Sequence, residues 1–194
     1  MPLIRETIIT TTGADGQPHV APMGVTVEPD SGGERFILAP FRPSRTLDNL
    51  LGRRCAVVNH TDDVRVFAGC ISGRRRDWPT VPAERIDAPR LADCLSHEEI
   101  TVVSVEDDPV RPRFHCRAVH AAAHTHFRGF NRAQAAVIEA AILVSRLHML
   151  PMDKIAREVD YLSIAIGKTA GPHELEAWDW LMARIAAHRA GEDT

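Results

Sequence analysis

The chain is 194 residues long with a mass of 21.4 kDa, 44% hydrophobic and 25% charged, and a formal net charge of −3. Those proportions exclude a disordered, collagenous or fibrous chain, and the mildly acidic balance excludes a sequence-independent grip on nucleic acid. No apolar run approaches the roughly 18 residues of a membrane span. With Arg5 and Glu6 so close to the start there is no apolar stretch of signal-peptide type, so a cytoplasmic protein with no membrane partner is expected.

The β-branched run at residues 4–12 reads as a strand closed by the turn Gly13-Ala14-Asp15-Gly16. Residues 19–28 give a second strand, interrupted at Pro22 and Gly24. After the turn Asp30-Ser31-Gly32-Gly33, residues 35–41 give a third, which makes an antiparallel meander. Leu47, Leu50 and Leu51 set a short helix over 44–51, and residues 55–59 return as a strand. Residues 63–71 fit a helix or a strand, because so short an apolar run has no decisive period. The Arg-, Pro- and Asp-rich stretch from 72 to 91 reads as a long surface excursion. Strands at 99–106 and 114–124 flank the turn Asp107-Asp108-Pro109. The period then switches to 3.6, giving helices over 131–150, 152–166 and 172–190, with Pro151 between the first two and Gly171-Pro172 opening the third. The chain is therefore of the α+β class: a β-barrel-like domain over residues 1–128 and a helical C-terminal domain over 129–194.

Several clusters carry chemistry. Ser44-Arg45-Thr46 stands where a strand hands over to a helix. Unpaired N–H groups, hydroxyls and a guanidinium there suit a phosphate, and a plain N-cap explains the same residues. Ala21-Pro22-Met23-Gly24 places a proline and a glycine inside a strand, which fits a bulge or the close approach of a flat ring. His120, His124 and His126 share one strand parity. No carboxylate or cysteine completes the run in sequence, so solvated or pocket-lining histidines, and no metal, are expected. Arg128-Gly129-Phe130-Asn131-Arg132 joins barrel to helices, either as a capped junction or as an anion clamp. Asp62-Asp63 reads as a turn followed by acidic first-turn residues. Cys55, Cys70, Cys94 and Cys116 contain no C-x-x-C pair and read as free, mostly buried thiols. There is no nucleophile elbow, Walker loop, zinc-protease motif or dinucleotide fingerprint.

In the order in which they occur, Glu6 to Thr11, Pro18 to Val25, Pro40-Phe41, Ser44 to Leu50, Asn59-x-Thr61-Asp62-Asp63-Val64, Ala88 to Leu91, Phe127 to Ala133 and Val137 to Leu143 resemble the "domain of unknown function 447" family. The resemblance spans nearly the whole chain. It implies a flavin-reductase-like, FMN-binding split barrel followed by a helical extension, assembled as a homodimer whose second subunit closes the flavin site. It places the isoalloxazine edge against backbone at Ala21, Pro22, Met23 and Gly24 and the phosphate at Ser44, Arg45 and Thr46. Thr10, Thr12, Phe41, Asn59, Thr61, Arg128, Asn131 and Arg132 complete the implied cofactor-binding set. His60 departs from the pattern, standing where an aromatic or apolar residue is expected. The activity implied is a flavin-dependent oxidoreductase with a small-molecule electron donor or acceptor. A non-catalytic flavin carrier and a pterin-linked enzyme of C1 metabolism are the alternatives.

Overall fold

A computed structural model describes residues 3–30 and 33–192. The turn expected at Ser31-Gly32 lies outside the described residues. The chain forms two compact units, one of Met1–Thr61 with Asp77–His126, the other of Asp62–Arg76 with Phe127–Thr194. The helical unit thus contains an earlier segment of chain besides the residues beyond the single boundary expected after residue 128.

The first unit is a closed barrel of six strands: β1 (Leu3–Thr12), β2 (Pro18–Asp30), β3 (Gly33–Leu38), β4 (Cys55–His60), and two more described below. Between β3 and β4 lies helix α1 (Arg45–Arg53). β3 stops at Leu38 rather than running to residue 41, because Pro40 offers no N–H to a ladder. The Arg- and Pro-rich excursion contains a hairpin too short to read from sequence, β5 (Thr80–Pro82) with β6 (Pro89–Leu91). β7 (Ser96–Glu106) and β8 (Arg113–Ala123) complete the barrel, whose order is β1-β2-β3-β8-β7-β4. Alternation along the strands sends Ile9, Val25, Val27, Phe36, Leu38, Ala56, Val58, Ile100 and Phe114 into one core, joined by Leu47 and Leu50 of α1. That burial fixes where α1 begins.

The second unit holds α2 (Arg65–Ser72), α3 (Arg132–Ser145), α4 (Met152–Thr169) and α5 (Pro172–Arg189). The ambiguous stretch after residue 63 is a helix because Val64 and Ala68, four residues apart, join the same core as Ala140, Ile155, Trp178 and Leu181. α3 ends at Ser145, five residues before its expected end. Pro151 disfavours helical geometry at Leu150, and the chain tightens into turns in which Arg146 and Leu147 donate to Leu143 and Val144. No helix among the described residues is long and apolar enough to cross a membrane.

Candidate functional site

In the barrel wall β2 outruns its neighbour β3. β1 pairs with β2 along Pro18 to Val27, whereas β3 pairs with β2 only from Thr26 to Asp30. Ala21 to Val25 therefore have β1 as their one strand partner among the described residues, and they present an open backbone edge. Ala21, Pro22, Met23 and Gly24 all lie on it, each partly exposed. The Met23 carbonyl accepts a hydrogen bond from the Thr7 hydroxyl at 2.9 Å. Gly24 has a packing reason of its own, since a Cβ there would meet Ile4 Cγ2 at 3.1 Å and Glu6 Oε1 at 3.3 Å.

The same end of the barrel carries the start of α1. Ser44 is its N-cap and accepts from the Leu47 N–H at 3.2 Å. The N–H groups of Arg45 and Thr46, the first two helical residues, have no helical carbonyl within reach, and with the helix dipole they favour an anion. Asn49 ties the helix to the barrel by donating to Thr11 Oγ1 at 2.9 Å. The Arg45 guanidinium reaches Asp15 of the β1–β2 turn at a loose 3.4 Å, and both side chains are at least half exposed. Cap and cradle are thus compatible: Ser44 takes the Leu47 N–H and leaves the two before it.

Phe41, also at this loop, is exposed with the Arg111 guanidinium 4.3 Å above its ring. Thr12 donates to the Asp87 carbonyl at 3.3 Å and borders a shallow cavity of about 280 Å³ shared with Pro18, Val81, Ile86 and Pro89.

Two other implied cofactor contacts have structural duties. Asn59 is completely buried; its amide donates to Ile8 O at 2.9 Å and to Thr10 Oγ1 at 3.0 Å, and its Oδ1 accepts from the Leu91 N–H at 2.8 Å. Thr10, also fully buried, donates to the Pro89 carbonyl at 2.5 Å. Together they clamp β6 to the barrel wall. Thr61 is partly buried at the end of β4. Next to it His60, the departure from the family pattern, pairs with Glu98 at 2.7 Å.

Arg128, Asn131 and Arg132 belong to the helical unit. Asn131 caps α3, accepting from the Ala133 N–H at 2.7 Å and donating to the Thr169 carbonyl at 3.0 Å. Arg128 and Arg132 are exposed, and the fully exposed Phe130 meets Phe127 edge to face at 5.1 Å. The capped junction is what the local geometry contains.

Of the thiols, burial pushes Cys116 up to about 12 and raises Cys55 and Cys94 as well, which leaves them poor nucleophiles at neutral pH. Of the histidine run, His120 lies in β8 and His124 just beyond it. Sequence reading missed their companions, because His97 and Glu99 come from β7 and meet them only through strand register.

Similarity to solved structures extends over both units. The FMN-bound protein MM1853 from Methanosarcina mazei superposes with a TM-score of 0.79 at 18% identity, covering 95% of this chain and 96% of that one. The 2-nitrobenzoate 2-nitroreductase NbaA of Pseudomonas fluorescens gives 0.55 at 20% identity over 64% of this chain and 66% of its own. The flavoredoxin of Desulfovibrio vulgaris (Miyazaki F) gives 0.54 at 11% identity over 62% and 70%. The fold is accordingly that of the flavin-reductase-like split barrel, with a helical extension. No curated protein matches the chain. Two family models do match: the N-terminal domain of a protein of unknown function (DUF447) over residues 5–125, and a second DUF447 model over residues 131–183.

Proposed function

The chain belongs to the DUF447 family, and from that premise we propose that it is an FMN-binding flavoprotein acting as an oxidoreductase. The observation that carries the proposal is the junction of the open β2 edge with the α1 N-terminus. The strand that carries this edge begins at Pro18, three residues after Asp15, to which Arg45 reaches. A flat ring laid along backbone and a phosphate held by N–H groups and a guanidinium need these two features side by side. The residues fit the cofactor without displacing any buried bond.

In this reading Ala21 to Gly24 orient the ring through backbone groups. The N–H groups of Arg45 and Thr46 hold the phosphate, and Arg45 exchanges a loose ion pair with Asp15 for one with the ligand. Bound FMN supplies the hydride or electron transfer, so no protein nucleophile is required. This agrees with the thiols of Cys55, Cys94 and Cys116, whose pKa burial raises. The visible spectrum of freshly purified protein tests binding, and turnover with NAD(P)H tests the oxidoreductase assignment. A protein that binds FMN but does not turn over with any donor is a carrier instead.

Arg45→Ala should weaken FMN by about 1–1.5 kcal/mol, roughly 5- to 12-fold in Kd, below the usual range for a charged hydrogen bond because the guanidinium is half exposed. Riboflavin, which lacks the phosphate, should bind wild type more weakly than FMN and change little in the variant. Fluorescence titration with both ligands gives the comparison, and equal FMN affinity in the two proteins removes the phosphate cradle.

We further propose a homodimer. Ile4, beside Gly24, and Phe41 are both more than half exposed. A second subunit covering this face would bury them and close the flavin. Light scattering should give about twice 21.4 kDa, and a monomer that retains FMN overturns the arrangement.

A further inference from the structure

On the outer face of the barrel, under the loop of the β5–β6 hairpin, four titratable side chains meet. His97 and Glu99 sit two residues apart on β7 and so share a face. Both are completely buried. His120 of β8 is the register partner of Glu99, and a break in register between Glu99 and Ile100 accompanies it, the kind of irregularity that re-aims a side chain. One ligand atom from each of His97, Glu99 and His120 falls within 4.8 Å of the others. His124 stacks on His97 with ring planes 2° apart, and its Nε2 is 2.9 Å from His97 Nδ1.

We infer that His97, Glu99 and His120 form a binding site for one divalent transition-metal ion of the zinc class. Three features carry the inference. First, His97 Nε2 and Glu99 Oε1 stand 3.4 Å apart. That is a long hydrogen bond, and it is the separation of two ligand atoms at bonds of about 2.1 Å on a tetrahedral ion. Second, His120 Nε2 is the one buried side-chain nitrogen or oxygen among the described residues without a hydrogen-bond partner; its nearest acidic atom is Glu84 Oε1 at 3.5 Å. A chain of hydrogen bonds from His124 through His97 to Glu99 would satisfy those three groups and leave His120 stranded, whereas an ion takes its lone pair. Third, the surroundings have the form of an outer shell. The N–H groups of Glu84 and Arg85 hold the Glu99 carboxylate at 2.6 and 2.7 Å, and His124 holds the far nitrogen of His97. Two imidazoles and one carboxylate are a donor set for zinc and its first-row neighbours rather than for magnesium or calcium.

The site is separate from the flavin edge. Across the sheet Val20, Thr10, Val57, Glu99 and His120 form one row. Glu99 is therefore three strands from β2, about 14 Å at the usual spacing. The ion would lie where the hairpin loop meets the barrel and would tie the two together.

Tag-free protein stripped with a chelator and titrated with Zn²⁺ against a competing chromogenic chelator tests the site. Wild type should bind one ion per chain, and Co²⁺ in its place should develop visible ligand-field absorption. His120→Ala should weaken Zn²⁺ by at least 10-fold and remove that absorption, while His126→Ala, outside the cluster, should match wild type. Should His120→Ala fail to fold, His120→Gln carries the same comparison. No stoichiometric binding by wild type, or binding unchanged when His120 is replaced, overturns the site whatever the outcome for FMN.

Discussion

Asn59→Ala should cost about 3–5 kcal/mol of folding stability. Asn59 lies wholly buried where three segments meet, and its side chain bridges β1 and β6 from its position on β4. Its loss leaves the Leu91 N–H, Ile8 O and part of the Thr10 hydroxyl's capacity without those partners, each stranded buried group being worth about 1–3 kcal/mol. Water cannot readily replace the amide while β6 stays in place. Urea denaturation of flavin-free protein measures the effect as a lower midpoint with an unchanged slope. Flavin-free protein is the informative state, because a residue whose duty is ligand contact alone would leave that midpoint unmoved. Asn59→Asp should be no milder, since it replaces a donor with a second acceptor facing Ile8 O.

Gly69→Val should destabilise the helical unit by about 1–2.5 kcal/mol. Gly69 is buried within α2, and a Cβ there would come to 2.9 Å from the Arg75 carbonyl and 3.2 Å from a Trp180 ring carbon. The carbonyl is backbone, held in place by the Arg75 N–H donating back to the Gly69 carbonyl at 3.2 Å, so it cannot swing aside as a side-chain tip would. Valine gains only a few tenths of a kcal/mol of helix propensity over glycine, against the 1–3 kcal/mol of overpacking a tight contact. The clash wins. A lower melting temperature by calorimetry is the expected result, and an unchanged one means the 73–76 turn yields freely.

Periodicity made most of the architecture legible. The β-branched runs became β1, β4 and β7, the leucines at helical spacing became α1, and the switch to a 3.6 period marked α3 to α5. What escaped had too little sequence to carry a period. α2 is eight residues long, and its helical state is decided by where Val64 and Ala68 pack. β5 and β6 have three residues each and pair Pro82 with Pro89, so propensity argued against them. At the candidate site Ser44, Arg45 and Thr46 could be placed because a helix start announces itself locally. Thr10 and Asn59, which the family resemblance put among the cofactor contacts, are occupied in holding β6, a long-range duty no local pattern reveals. For the same reason the histidine run was visible, while the carboxylate that completes it was not. His97 and Glu99 reach it only through the β7–β8 register.

The early placement of α2 bears on how the chain comes off the ribosome. Residues 65–72 emerge together with the barrel, yet the helices that bury Val64 and Ala68 are translated only after β8 is finished, and α5 ends at Arg189. At about 5–20 residues per second the apolar side of α2 waits on the order of ten seconds for its neighbours. The nascent barrel can close during that interval, but the helical unit cannot. The arginines at 74–76, immediately downstream of that apolar turn, sit where charge opposes premature association between nascent chains.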